Sequence, residues 1–240
     1  MAGDSTHAPG GSAAAPQAVL LDALGTLVRL EPPAPRLRRA LREQLGIEVD
    51  EATSRRAVAA EIAYYREHLD RGRDAASLAA LRRDSAAVMG AQLPDTARDA
   101  GLAALTDVLL AALEFTPFPD VVPALRALRA RGAKLVVVSN WDVSLHEVLA
   151  RTGLAGLVDG ALASAELGVA KPDPAIFARA LELAGGAEPA ASRHVGDSPE
   201  ADVAGARAAG ITPILITRDA PPPPGLPAGV RVISSLADLA

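Results

Sequence analysis

The pattern of apolar and polar residues changes twice along the chain. It begins with a short apolar run, Gln17–Asp22 (QAVLLD), which ends on a carboxylate and is soon followed by Gly25, as a buried strand entering a turn would be. From Ala34 to about Leu113 the apolar residues recur at helical spacing: Leu37, Leu41, Leu45; Val58, Ile62, Tyr65, Leu69; Leu78, Leu81, Val88; Leu102, Leu105, Leu109, Leu113. No strand-like run interrupts them, so the spacing predicts four helices. After Pro117–Pro119 strands and helices alternate. A helix capped by Asp120 and closed at Gly132 leads into a strand at Lys134–Ser139 and a helix to Thr152. A strand at about Leu157–Ala163, a helix at about Pro174–Ala184, a strand at Arg193–Gly196 and a helix at Pro199–Ala209 follow. Strands at Pro213–Thr217 and Val230–Ile233 close the pattern, separated by a stiff Pro221–Pro224 loop.

Alternating strands and helices imply an α/β, Rossmann-like parallel sheet covered on both faces. The first strand belongs to that sheet, so the helical segment is an insertion. The expected organisation is a flexible tail at 1–16, a core from 17–33 and 116–240, and a helical domain at 34–115.

Composition narrows the chemistry. The chain has 240 residues, and at this size about 70–75% of the extended surface can be buried. Half the residues are hydrophobic but only 2% are aromatic, so the core is built from Ala, Leu and Val, with few platforms for stacking single-stranded nucleic acid. A net charge of −5 also argues against a nucleic-acid partner. The absence of cysteine excludes disulfides, thiolate metal sites and thiol nucleophiles, and is compatible with the expected cytoplasmic location. The N-terminal segment lacks the basic start of a secretory signal, since no Lys or Arg precedes Arg29, and no membrane span is expected.

Open parallel sheets bind ligands beyond the carboxyl ends of their strands. That rule selects four runs. In LLDALGTLV, Asp22 could act as nucleophile or metal ligand, with Gly25 turning the chain and the Thr26 hydroxyl orienting the carboxylate; it could equally satisfy turn amides. In VVVSNWD, Ser139 and Asn140 could hold a phosphate oxygen or simply make a turn, with Asp142 capping the next helix. Lys171, in GVAKPDPAIF, is one of only two lysines and precedes a candidate Asp173 cap and Pro174 first turn, so it is either a positioned ammonium or a surface lysine. In HVGDSPEAD, Asp197 falls at a strand end and Asp202 about one turn into a helix, where they could form a hard oxygen site for Mg²⁺ or an N-terminal capping cluster. His68, His146 and His194 have no metal-ligand spacing, and His194 is expected to pack or face solvent. The arginines at 38, 39, 55, 56, 66, 82 and 83 are expected on solvated helix faces, with one or two reaching the cleft.

These four runs, in this order, resemble the four motifs of the haloacid dehalogenase superfamily, and the helical insertion resembles its C1-type cap. EIAYYREHL and the Asp-Ala-X-Gly-Thr-Leu pattern resemble one subgroup of it. The resemblance implies Asp22 as nucleophile, Ser139 with the Asn140 amide on the transferred group, and Lys171 steadying both charges. It implies Mg²⁺ held by Asp22, Asp197 and the Leu24 carbonyl, with Asp202 in support through water. Phosphatases of the superfamily carry a second Asp, a general acid and base, where this chain has Leu24. The first functional reading is therefore a Mg²⁺-dependent phosphatase acting on a small phosphorylated molecule, weakened toward alkyl esters. A 2-haloacid dehalogenase-type hydrolase and a non-catalytic binding protein are the alternatives. The substrate and the oligomeric state are not readable.

Overall fold

The computed structural model describes residues 16–218 and 221–239; all of the expected tail but Pro16 lies outside them. The first strand, β1 (Ala18–Leu21), is entirely buried. A three-residue strand, β2 (Val28–Leu30), leads into the helices α1 (Pro33–Leu45), α2 (Glu51–His68), α3 (Ala75–Gly90), α4 (Asp95–Asp99) and α5 (Leu102–Ala112). The chain returns through β3 (Phe115–Pro117), which pairs antiparallel with β2, so the two connections to the helical segment form one ribbon. Next come α6 (Val121–Ala130), β4 (Lys134–Ser139), α7 (Leu145–Arg151), β5 (Gly160–Ala163), α8 (Ser164–Leu167) and α9 (Pro174–Leu183). Strand β6 (Ser192–Gly196), a π-helical turn at Pro199–Ala204, α10 (Gly205–Ala208), β7 (Thr212–Ile216), β8 (Arg231–Ile233) and a 3₁₀ turn at Leu236–Leu239 follow.

The six long-range strands form one parallel sheet in the order β5-β4-β1-β6-β7-β8. Register places Leu21 beside Val137 on one side and Val195 on the other. Strands buried on both faces need continuous apolar runs, as VVV of β4 provides. One core cluster lies on the Val19, Leu21, Leu135 face with α6 and α7, and another on the Leu20, Val136 face with Phe177 and Ala180 of α9. The inserted helices bury a third cluster among themselves, built from Leu37, Leu41, Met89, Leu105, Val108 and Leu109.

Local chemistry accounts for the helix ends. Asp50 accepts from the Thr53 amide at 2.6 Å, and Asp74 forms a reciprocal capping box with Ser77. Asp173 accepts from the Ala175 amide at 2.8 Å ahead of Pro174, as expected from the sequence.

Several expectations are corrected. The helical segment contains a fifth, short helix, α4, after Pro94. Residues 155–157 form a 3₁₀ turn, and β5 starts only at Gly160. The helix expected at Pro199–Ala209 begins as a π turn, with the Val203 amide donating to Ser198 O at 3.1 Å. Asp120 does not cap α6: its carboxylate accepts from Arg218 at 2.7 Å, Ser235 Oγ at 2.8 Å and the Leu236 amide at 2.6 Å. Arg218 also stacks over the Phe118 ring at 4.1 Å and donates to the Thr26 carbonyl. Burial works against the charge on Asp120, but Arg218 and these donors outweigh it and hold its pKa below the usual range.

This network ties β3, β8 and the loop after β1 together. Asp120→Ala strands a largely buried guanidinium and an amide, and is expected to cost about 2–4 kcal/mol. Thermal unfolding would register that as a fall of roughly 5–15 °C; an unchanged midpoint would contradict the network's structural role.

Candidate active site

Four loops meet at the carboxyl end of the sheet. Asp22 follows β1 directly, and Ser139 is the last residue of β4; both are buried. The Ser139 hydroxyl donates to Asp22 Oδ1 at 3.0 Å. Lys171 arrives from the loop before α9, where its peptide to Pro172 is cis. Its Nζ lies 2.6 Å from Asp22 Oδ1 and 2.6 Å from Asp202 Oδ1. Lys171 is therefore a buried, fixed ammonium and not a surface lysine.

Asn140 anchors that lysine. Its side-chain amide donates to Lys171 O at 2.9 Å and accepts from the Lys171 backbone amide at 2.8 Å. The Asn140 side chain is thus engaged with the chain rather than presented to a ligand. Thr26 is also corrected: its hydroxyl is buried and makes no hydrogen bond among the described residues, to Asp22 or to anything else.

Two glycines let the acidic groups approach. Gly25 has φ 80°, and a Cβ there would stand 2.2 Å from Asp197 Oδ2. A Cβ on Gly196 would stand 2.1 Å from Asp202 Cγ. Asp202 is firmly held: Oδ1 takes Lys171 and His194 Nε2, the latter at 2.8 Å, and Oδ2 accepts from the Ser198 amide at 2.9 Å, which leaves one lone pair on Oδ2. His194, fully buried and edge-on to Phe177, is a packed residue, as the sequence suggested, but one that also orients Asp202.

One oxygen from each of Asp22, Asp197 and Asp202 lies within 4.8 Å of the others. Three carboxylates facing one ammonium leave an excess of negative charge. Burial raises the Asp22 pKa, with Lys171 opposing, and Asp202 adds to the rise. Burial also works against the Asp202 carboxylate, but Lys171 and His194 outweigh it and hold that group ionised. For Lys171 burial favours the neutral amine, and the two carboxylates overcome it. Asp197, exposed as a residue, is pushed up to about 6, first by desolvation of its carboxyl against the β1 loop and then by Asp22 and Asp202. A divalent cation fits this set by charge and by oxygen chemistry. Asp22 and Asp197 have free lone pairs, and the Leu24 carbonyl accepts no turn hydrogen bond among the described residues.

Beside this cluster a cavity of about 300 Å³ opens between the helical segment and the sheet. Leu24, 41% exposed, stands at its edge with Asn140 and Trp141. Of the arginines on the inserted helices, Arg66 and Arg82 line it, joined by Arg151 of α7, and Arg82 pairs with Glu147 at 3.1 Å. Asp142 does not cap α7. It accepts from the Ser144 amide at 2.7 Å and from the Tyr65 hydroxyl at 3.0 Å, joining α2 to the loop after β4.

The model of the haloacid dehalogenase-like hydrolase family matches residues 16–210. The chain belongs to that family. The haloacid dehalogenase-like hydrolase domain-containing protein 3 of Bos taurus is 45% identical over 102 residues, 42% of this chain and 40% of that protein. A glyceraldehyde 3-phosphate phosphatase of Methanopyrus kandleri is 39% identical over 103 residues, 42% of this chain and 44% of that protein. The chain thus matches less than half the length of these curated relatives. Among solved structures, a 2-haloacid dehalogenase from Pseudomonas syringae pv. Tomato DC3000 superposes with a TM-score of 0.65 at 25% identity, over 93% of this chain and 96% of that one. Among the described residues no helix is long and apolar enough to cross a membrane.

Sequence reasoning missed Glu61. It is 4% exposed, lines the cavity from α2, and has no ion-pair partner among the described residues. The buried stripe of α2 is Ser54, Ala57 and Glu61, one residue off the expected Val58, Ile62, Tyr65 and Leu69, all half-buried. A carboxylate adjoining a run of alanines was the available signal. Burial pushes Glu61 up to about 7, with Ser85 pulling weakly the other way. Since the folded-state pKa is raised, the unfolded chain loses this proton first. Stability is therefore expected to fall as pH rises from about 4.5 to about 7, by about 3 kcal/mol. Glu61→Gln removes this contribution, so the difference between wild-type and variant melting temperatures should change across that window; a constant difference would refute the raised pKa.

Proposed function

We propose that this hydrolase is a Mg²⁺-dependent phosphatase acting on a small phosphorylated molecule. The observation that carries the reading is the convergence of Asp22, Ser139, Lys171 and Asp197, from four separate loops, on one point. Asp22 is the nucleophile: its free oxygen attacks phosphorus, the bond to the leaving oxygen breaks, and an aspartyl-phosphate forms that water then hydrolyses. Ser139 binds the transferred group, helped by the Asn140 backbone amide, and Lys171 neutralises Asp22 and the incoming anion together. Asp22, Asp197 and the Leu24 carbonyl would hold Mg²⁺, with Asp202 supporting the site through water. The ion would supply charge neutralisation for the phosphoryl oxygens. Thr26 shapes the loop through its Arg218-bound carbonyl rather than through its hydroxyl.

Residues 17–33 and 116–240 act as the core domain and 34–115 as a cap, hinged at the β2–β3 ribbon. Phosphatases among the relatives support the reaction class. Attack at a halogen-bearing carbon is the second reading, favoured by apolar Leu24 and by the structural likeness to a 2-haloacid dehalogenase. Asp197 counts against it, because an ester-forming mechanism without metal has no use for a third clustered carboxylate.

Leu24 cannot give a proton to the leaving oxygen, so acyl and aryl phosphates should be better substrates than alkyl phosphates. Purified protein is expected to release phosphate from acetyl phosphate and p-nitrophenyl phosphate only with Mg²⁺. Asp22→Asn should lose at least about a thousandfold. Leu24→Asp should gain roughly 10²–10⁴-fold on alkyl phosphates. Metal-independent halide release from 2-haloacids, without phosphate release from any ester, would replace this reading with the second.

A further inference from the structure

The cavity beside Leu24 has an unusual wall. Most of it is apolar, from Leu24, Ile62, Leu81, Leu113, Phe115 and Trp141 among others. Within it lie two buried polar side chains that nothing else in the fold requires. Glu61, on α2, has no cation partner among the described residues, and Ser85 is the one hydrogen-bonding group near enough to act on its carboxyl. Ser85, on the neighbouring helix α3, stands beside it, 2% exposed, and its Oγ has no partner within hydrogen-bonding geometry. A buried carboxyl and a buried hydroxyl that have only each other, and not in good hydrogen-bonding geometry, are costly, and an apolar pair of the same shape would pack more stably. Buried polar groups left open in an apolar pocket are how a site selects a matching group on a ligand.

The volume, about 300 Å³, is at the small end of ligand pockets. Its apolar edge at Leu24 adjoins the Asp22 cluster, and Asn140 belongs to both. A ligand with its phosphate at Asp22 therefore has its organic half beside Leu24, and the leaving group that needs no acid at position 24 is an aryl or acyl one.

We propose that this cavity holds the leaving group of the substrate, and that the substrate is an aryl-type phosphate ester bearing a hydrogen-bond donor at its far end, which Glu61 and Ser85 receive. Glu61 is a specificity-determining residue here, distant from the reacting phosphorus. The proposal rests on the phosphatase reading for its phosphate and on the cavity alone for its organic half, so the two can be tested apart.

The experiment compares 4-(hydroxymethyl)phenyl phosphate with its apolar isostere 4-ethylphenyl phosphate, and titrates the phosphate-free phenols, 4-(hydroxymethyl)phenol and 4-ethylphenol, by calorimetry. Wild type should prefer the hydroxymethyl ester in kcat/KM by about tenfold, the scale of one well-placed hydrogen bond. Glu61→Leu should reverse the preference toward the ethyl ester and raise the melting temperature, and Glu61→Gln should keep the original order. A structural role for Glu61 would slow both esters alike and leave their ratio unchanged, which would overturn its assignment. Failure of both phenols to bind wild type would overturn the cavity assignment. If neither ester releases phosphate, the phosphatase reading fails by itself, and the phenol titrations with wild type and Glu61→Leu still decide the pocket.

Discussion

The ammonium of Lys171 is the contact on which the site depends. It sits between Asp22 and Asp202 with both oxygens at 2.6 Å, all three side chains nearly free of solvent. Without it two carboxylates would be buried at short range, and burial would favour their neutral forms. The surroundings converge on holding it still. Asn140 grips the Lys171 backbone from both sides, His194 and the Ser198 amide fix Asp202, and Gly196 leaves the room that Asp202 fills. A buried triad of this kind adds little to stability by itself, because desolvation offsets its attraction. Its worth lies in holding charge at a fixed place before any ligand arrives.

The sheet explains why these groups meet at all. Parallel strands all end on the same edge, so residues far apart in the chain, Asp22, Ser139 and Asp197, are delivered to neighbouring loops by β1, β4 and β6, which lie side by side. The central position of β1 places Asp22 between the other two. The charge cluster is thus a consequence of strand order.

Where the sequence was legible, the signal was local and strong. VVVSN is a continuous apolar run with a polar end, and HVGDS carries the glycine, the carboxylate and the Ser-Pro start of a helix that mark a strand end, so β4, β6 and the residues beyond them could be located. The Asp173–Pro174 start of α9 was readable for the same reason. The ribbon of β2 and β3 was not, because three residues carry no periodicity. The partners of Asp120, Asp142 and Asn140 were misjudged in one common way. Each looked like a turn or cap residue; Asp120 and Asn140 are instead claimed by groups far along the chain, Arg218 and Lys171, and Asp142 keeps its turn bond to the Ser144 amide while also accepting from the distant Tyr65. Short polar side chains can bond locally to the backbone, and a distant donor brought within reach by the fold can replace or join that local bond. Glu61 was hidden for the opposite reason, since a helix dense in alanine offers two nearly equivalent faces and packing alone chooses between them.

The loop after β4 has two attachments. Through Ser139 and Asn140 it belongs to the charge cluster; through Asp142 and Val143 it is bonded to the helical segment, at Tyr65 and at the Gly72 carbonyl, 2.8 Å from the Val143 amide. The five-residue stretch 139–143 therefore senses both halves of the molecule. Any ligand that prefers one placement of the helices will bind Asp22 and its partners with an affinity that depends on that placement, and will bias the placement by the same factor in return. Occupancy and helix position are thermodynamically one variable here, read out at a five-residue stretch of loop.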